Sequence, residues 1–358
     1  MAAAWLPARR NAPQIGNVID SPQKEGGTMG KNVRMADIAQ KLGISIVSVS
    51  KGLSGKEGVS DEMRARILAT AKELGYTLPA PKSRDSAGGE SVGIVVADRF
   101  FNENTFYSNL YRELLRAGAA AGISLMMEIL SPQAEFSCRM PNFLVNRKVD
   151  GLIFMGEIDR RYLSTAAQSG LPFVLLDFYD DALAADCVLS DNTSGAYQLT
   201  EHLLKTGRRR IAFVGSVWAT SSIMDRYLGY TKALLRAGIE PRPDWRIDDR
   251  DKNGLFIPLA LPADLPDAYV CSCDEVAFNL VERLHREGIE VPRDAAVAGY
   301  DDFRFSTICR PPLTSYRVDV GEMAASAIGL IRRKMARKKP IAPTVLVPGA
   351  LVLRESTR

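Results

Sequence analysis

Residues 33–76 read VRMADIAQKLGISIVSVSKGLSGKEGVSDEMRARILATAKELGY. Met35, Ile38, Ala39 and Leu42 recur at helical spacing and predict a short amphipathic helix over 35–42. Gly43 follows and suits the left-handed backbone of a tight helix–helix turn. Ser45 is a natural N-cap for a second helix over 46–53. In that helix Val49 and Leu53 turn inward, while Ile46, Val47, Ser48, Ser50 and Lys51 turn out, and Gly52 weakens it from inside. A third helix is expected over 61–75. Ser60 caps it, Asp61 and Glu62 favour its positive end, and Met63, Ile67, Ala71 and Leu74 form the buried stripe.

Helix, tight turn, short helix, loop, helix is the helix-turn-helix plan of DNA-binding modules. The second helix is about 12 Å long, short enough to lie in a major groove. Ser48 and Ser50 can bond phosphate or base edges, Ile46 and Val47 can touch thymine methyls, and Lys51 can reach guanine acceptors. The same face also suits a solvated three-helix bundle. Charge leans toward nucleic acid. Residues 32–84 hold nine Lys/Arg against five Asp/Glu, whereas 85–358 hold 33 against 35, so the positive excess sits where phosphates would be met.

From Ser91 the pattern changes. Apolar strands are expected over 91–97, 123–130, 151–154, 172–177 and 186–190, with helices over 108–122 and 139–148 between them. The alternation then restarts: helix 193–206, strand 211–215, helix 225–238, a strand near 246, strand 268–271, helix 274–287 and strand 296–300. Repeated β-α units mean parallel sheets covered by helices, and two runs mean two lobes. Ligands of such sheets sit at the carboxyl ends of the strands, where two lobes can clamp one from both sides.

Composition excludes several classes. With 46% hydrophobic and 25% charged residues, the 358-residue chain has an ordinary globular balance, and no apolar run is long enough to span a membrane. Five scattered cysteines, Cys138, Cys187, Cys271, Cys273 and Cys309, suit a reducing cytoplasm rather than a disulfide framework. His202 and His285 are far apart in the chain, which argues against a histidine metal site or triad. No Gly-rich phosphate loop, GxSxG or metal-ligand cluster occurs, so neither enzyme nor cofactor is expected. Residues 1–31 lack periodicity and are expected to be a disordered tail; translation from Met29 is another reading of them.

The first module resembles the headpiece of the lactose/galactose-repressor (LacI/GalR) family through Asp37, Ile38, Ala39, Gly43, Ile44, Ser45, Val49, Ser50, Lys51, Val59, Ser60, Arg64, Ile67, Ala71, Leu74, Gly75 and Tyr76. The resemblance places Ile46, Val47 and Lys51 at base-reading positions and Ser45, Ser48, Ser50 and Ser60 at phosphate-facing ones. Arg34 stands where the family has a capping Thr and becomes a phosphate contact, and Ser54 stands where it has Asn. The family's minor-groove leucine falls on Asp85, and Pro79 and Pro81 oppose a helix, so no regular hinge helix is expected. Lys82 and Arg84 remain candidates for phosphate contact.

The remainder resembles the family's periplasmic-binding-protein-like sensor domain through VDGLIFMG (149–156), SDNTSGAYQLTEHLLKTGRRRIAFVG (190–215), SSIMDRYLGYTKAL (221–234), VAGYDDF (297–303) and PPLTSYRVD (311–319). The implied organisation is an α/β, two-lobed sensor domain behind a small all-α helix-turn-helix domain. The divisions are a tail 1–31, a DNA-binding domain 32–78, a linker 79–90 and a ligand domain 91–358. Lobe 1 takes about 91–189 and 318–342, and lobe 2 about 190–317 and 343–358. Implied ligand contacts are Phe106, Tyr107, Asp177, Thr220, Ser222, Arg226 at the start of its helix, Cys273, Asp274 and Asp301. Arg250 points in where the family often has a closing aromatic, which hints at a charged ligand. For Arg226 and Asp301 an ion pair between lobes is the alternative. The resemblance implies a homodimer on a pseudo-palindromic operator with a sugar-like effector and no membrane partner. A stand-alone sugar-binding protein is the competing class.

Overall fold

The computed structural model describes residues 33–53, 58–76, 90–101, 105–183, 185–251, 254–336 and 344–358. The expectations for residues 1–31, for Ser54 and for 79–89 of the linker lie outside the described residues.

Three helices form the first unit: α1 (Met35–Leu42), α2 (Ile46–Leu53) and α3 (Asp61–Glu73). Ile38, Ala39, Val49, Ile67 and Ala71 are buried between them. Burying each of the larger aliphatics contributes about 1.5–3 kcal/mol, enough for a small module with few other resources. Gly43 takes φ +65°, as the tight turn requires. The cost expected of Gly52 has a use: a β-carbon there would lie 2.4 Å from Cδ1 of the buried Ile67, so glycine lets α2 approach α3.

The second unit is built from two six-stranded sheets. The first run gives β1 (Ser91–Ala97), α4 (Asp98–Phe101), α5 (Thr105–Ala121), β2 (Ser124–Leu130), α6 (Pro132–Phe136), α7 (Asn142–Val145), β3 (Gly151–Met155), α8 (Arg160–Ala167), β4 (Phe173–Leu176) and β5 (Asp186–Ser190). The helix expected over 139–148 is cut down to the single turn of α7, because Pro141 starts it as the N-cap and Arg147 takes a positive φ of 52° just after it. The second run gives α9 (Asn192–Lys205), β6 (Ile211–Val214), α10 (Ser221–Arg236), β7 (Arg246–Ile247), β8 (Ala268–Cys271), α11 (Asp274–Arg286), β9 (Ala296–Asp301), α12 (Arg304–Ile308) and β10 (Thr314–Arg317). The chain ends with α13 (Val320–Met335), β11 (Thr344–Val347) and β12 (Ala350–Val352).

The sheets repeat one plan. Their orders are β2-β1-β3-β4-β5-β11 and β7-β6-β8-β9-β10-β12, parallel except for β12, which pairs antiparallel with β10. Each order reverses direction beside its first strand, and ligands of doubly wound sheets sit at that switch point. The chain passes between lobes after β5, after β10 and between β11 and β12. Residues 344–347, expected with lobe 2, instead lie on β5 in the first sheet. The apolar strand had an open edge to pair with there, and the two residues 348–349 lead from it into β12 on the other sheet.

Candidate nucleic-acid interface and effector cleft

On the first unit, Ser45 Oγ accepts from the Ser48 backbone N–H at 3.0 Å, and the two hydroxyls lie 2.9 Å apart. Ser48, expected outside, is therefore half-buried and held by the cap. Ile46 and Val47, adjacent on the outer side of α2, are 53% and 65% exposed. Ser50 is exposed beside them, and Lys51 is half-buried, its Nζ folded toward Gly58. Arg34 is exposed at the N-terminus of α1, where its backbone N–H donates to the Asp37 carboxylate at 2.6 Å, so Asp37 does the capping. Ser60 caps α3, accepting from the Met63 N–H at 3.3 Å. The face thus presents hydroxyls, two bare aliphatics and a cation, the donor and apolar set that reads a major groove.

In the second unit a cleft of about 1400 Å³ opens between the sheets at their switch points. All ten residues expected there line it: Phe106, Tyr107, Asp177, Thr220, Ser222, Arg226, Arg250, Cys273, Asp274 and Asp301. Arg226 is the centre. It was expected to start a helix over 225–238 but lies in the second turn of α10, because Thr220 caps that helix by accepting from Ile223 N–H at 3.2 Å. The buried guanidinium donates from Nε to Asn192 Oδ1 at 2.8 Å and from Nη1 to the Ser272 carbonyl. Its Nη2 lies 3.5 Å from Asp301 Oδ1, and its carbon sits 3.8 Å from the Tyr300 ring centroid.

Asp177 directly follows β4 and Asp301 ends β9, one on each lobe. Both hold positive φ, 69° and 102°, which costs about 1–3 kcal/mol for a side-chain-bearing residue and aims a strand-end group. Tyr107 donates to Asp177 Oδ2 at 2.8 Å. Oδ1 of Asp177 and Oδ1 of Asp301 are buried and accept no hydrogen bond. Burial pushes Asp177 up to about 6 and Asp301 up to about 7, and Arg226 offsets part of each rise.

Asp274 differs from the expectation. Its Oδ1 accepts from Ser315 at 2.6 Å and its Oδ2 from the Phe303 N–H at 2.9 Å, so its carboxylate braces lobe 2 from within. Ser222 and Thr220 share a hydrogen bond at 3.1 Å on the cleft wall. The Cys273 thiol is pushed up to about 12 by burial and stays neutral.

Sequence reading missed several lining groups. The closing aromatic is present: after Arg250 the chain folds back, bridging Arg250 to Phe256, with the guanidinium 4.7 Å from the Phe256 ring centroid. Its signal was hidden because the ring comes six positions after the arginine it covers. Glu157 was also missed. It accepts from the Ser221 N–H at 2.7 Å across the cleft, and Tyr179 reaches Asp225 at 3.3 Å. Phe106 packs on Phe303 at 5.7 Å, so the lobes touch.

The cleft arginines are compensated. Arg99 pairs with Glu135, Arg160 with Asp180, Arg161 with Asp159, Arg226 with Asp301 and Arg250 with Asp249. Glu157, Asp177 and Asp248 line the cleft besides. The balance is acidic, which disfavours the charged, anionic ligand hinted at by Arg250 and favours hydrogen-bond donors.

Comparison with known proteins adds two domain matches. A model described as bacterial regulatory proteins, lacI family, matches residues 34–78, and a periplasmic binding protein-like domain matches 200–357. The chain is 25% identical to Catabolite control protein A of Priestia megaterium over 335 residues, 91% of this chain and 100% of that one. It is 25% identical over 327 residues to the Ribose operon repressor of Haemophilus influenzae, covering 90% and 98%. Its fold matches the transcriptional regulator CelR–cellobiose complex with a TM-score of 0.68 and 23% identity, covering 90% of this chain and 99% of that one. It also matches the lac repressor dimer bound to operator and an anti-inducer, with a TM-score of 0.64 and 21% identity, covering 91% and 99%.

Proposed function

The chain belongs to the LacI family of bacterial regulatory proteins, and from that premise we propose that it represses transcription under control of an uncharged, polyhydroxylated effector, a sugar or sugar derivative. One observation carries the effector class: two buried carboxylate oxygens, on Asp177 and Asp301, accept no hydrogen bond beside an arginine whose charge is already matched. Sugar hydroxyls donate to such oxygens, and Arg226 donates to a ring or hydroxyl oxygen. An amine-bearing sugar is the second reading, favoured by the acidic balance of the lining.

Two copies of α2, presented by a homodimer, read a pseudo-palindromic operator, since one headpiece buries too little surface for tight specific binding. Ile46, Val47 and Lys51 contact bases, and Arg34, Ser45, Ser50 and Ser60 contact phosphate. Effector binding favours one closure state of the lobes and so shifts operator affinity. The hydroxyl-accepting carboxylates that line the cleft support a receptor role for it. Five free cysteines support a reducing, cytoplasmic setting.

A randomised-oligonucleotide selection with full-length protein tests the reading. A palindrome with half-sites about one helical turn apart is expected. Lys51→Ala should lose about ten- to a hundredfold of its preference at one base position while sugar affinity stays unchanged. No enriched duplex, with or without sugars, would remove the proposal.

A further inference from the structure

The cleft has two chemically distinct parts. The inner part is buried and polar, with Tyr107, Asp177, Arg226 and Asp301 at the strand ends. The outer part carries rings that are largely exposed to solvent. Trp218 on the loop after β6 is 83% exposed and Phe136 at the end of α6 is 74% exposed, yet both line the cleft. They are the most exposed large hydrophobic side chains among the described residues, and Leu255 and Phe256 add further bare apolar surface to the same cleft.

Large rings left in water at a concave site are the usual sign of a ligand surface. The neighbouring charges offer nothing to an ion, because Arg160 and Arg161 are matched by Asp180 and Asp159. Arg161 lies over one face of Phe136, 5.4 Å from the ring centroid, and the ring stays 74% exposed. An apolar ring face with self-compensated charge around it fits the C–H face of a pyranose. Size agrees: about 1400 Å³ exceeds the roughly 300–1,000 Å³ of clefts that enclose a drug-sized ligand.

We propose that Trp218 and Phe136 form an outer subsite for a second sugar ring, so that the effector is a disaccharide or longer glycoside whose first ring occupies the inner pocket. This rests on the sugar reading above and adds the ligand's length.

Glucose and ribose are titrated against cellobiose, maltose and lactose with full-length protein, by calorimetry and tryptophan fluorescence. At least one disaccharide should bind tenfold or more tighter than either monosaccharide and change the emission of Trp218. Trp218→Ala and Phe136→Ala should each lower the disaccharide-to-monosaccharide affinity ratio about tenfold. Equal affinity for one and two rings, or a ratio unmoved by both variants, overturns the outer subsite while leaving a sugar-responsive regulator. Should none of the five sugars bind or alter operator affinity, the effector reading and the subsite both fall.

Discussion

A carboxyl group enclosed away from water with an oxygen that accepts no hydrogen bond is held toward its protonated form, and Asp177 and Asp301 show this on opposite lobes of one cleft, Arg226 offsetting only part of the rise. Unfolded aspartate titrates near about 3.9. Folded values of about 6 and about 7 lie above that, so the stability these groups allow is fully present below about pH 4 and is lost as pH rises through 6 and 7. The melting temperature of Asp301→Asn minus that of wild type, measured without sugar, should therefore grow between pH 5 and pH 8. A difference that stays flat or shrinks contradicts the burial of this carboxyl. Sugar hydroxyls donate best to the ionised groups, so wild-type affinity should rise over the same interval. The types of these residues were legible in the chain through the family's motifs. Their orphaned oxygens were not, because Tyr107 and Asp177 lie 70 positions apart and only the fold brings them to 2.8 Å.

Among the elements, periodicity located the helices of the headpiece and most strands, with ends displaced by a few residues where a cap intervened. α10 begins four residues before its expected start because Thr220 caps it. Its packing is decided at Gly229, where a β-carbon would lie 2.2 Å from the Thr193 carbonyl on α9. Backbone cannot give way as a side-chain tip can. Gly229→Ala should cost about 1–3 kcal/mol of unfolding free energy despite alanine's better helix propensity, measurable by urea denaturation. A neutral or stabilising result would mean that α9 and α10 sit further apart than the 2.2 Å approach at Gly229 requires. The glycine itself was visible inside a predicted helix, but nothing local indicated which helix it meets.

At the scale of the whole molecule, the headpiece core shares no residue with the clusters of the two-lobed unit. Residues 90–358 should fold alone, bind sugar within about threefold of the full chain, and have no operator affinity in gel shift. Loss of sugar binding in that fragment would show that the headpiece completes the cleft. The hydrogen bonds of Glu157 with Ser221 and of Tyr179 with Asp225 tie the two lobes together.

The sequence by itself determined the elements and their grouping: a three-helix reading head, then two β-α runs with polar residues at strand ends. Such patterns are local, since burying one face of a helix or both faces of a strand constrains residues only a few positions apart. Tertiary structure alone decided that β11 joins the first sheet, that Asp274 is turned inward as a brace, that Phe256 covers Arg250, and that the cleft arginines are charge-matched. Each depends on distances between segments far apart in the chain, and electrostatics and pairing follow those distances rather than residue type.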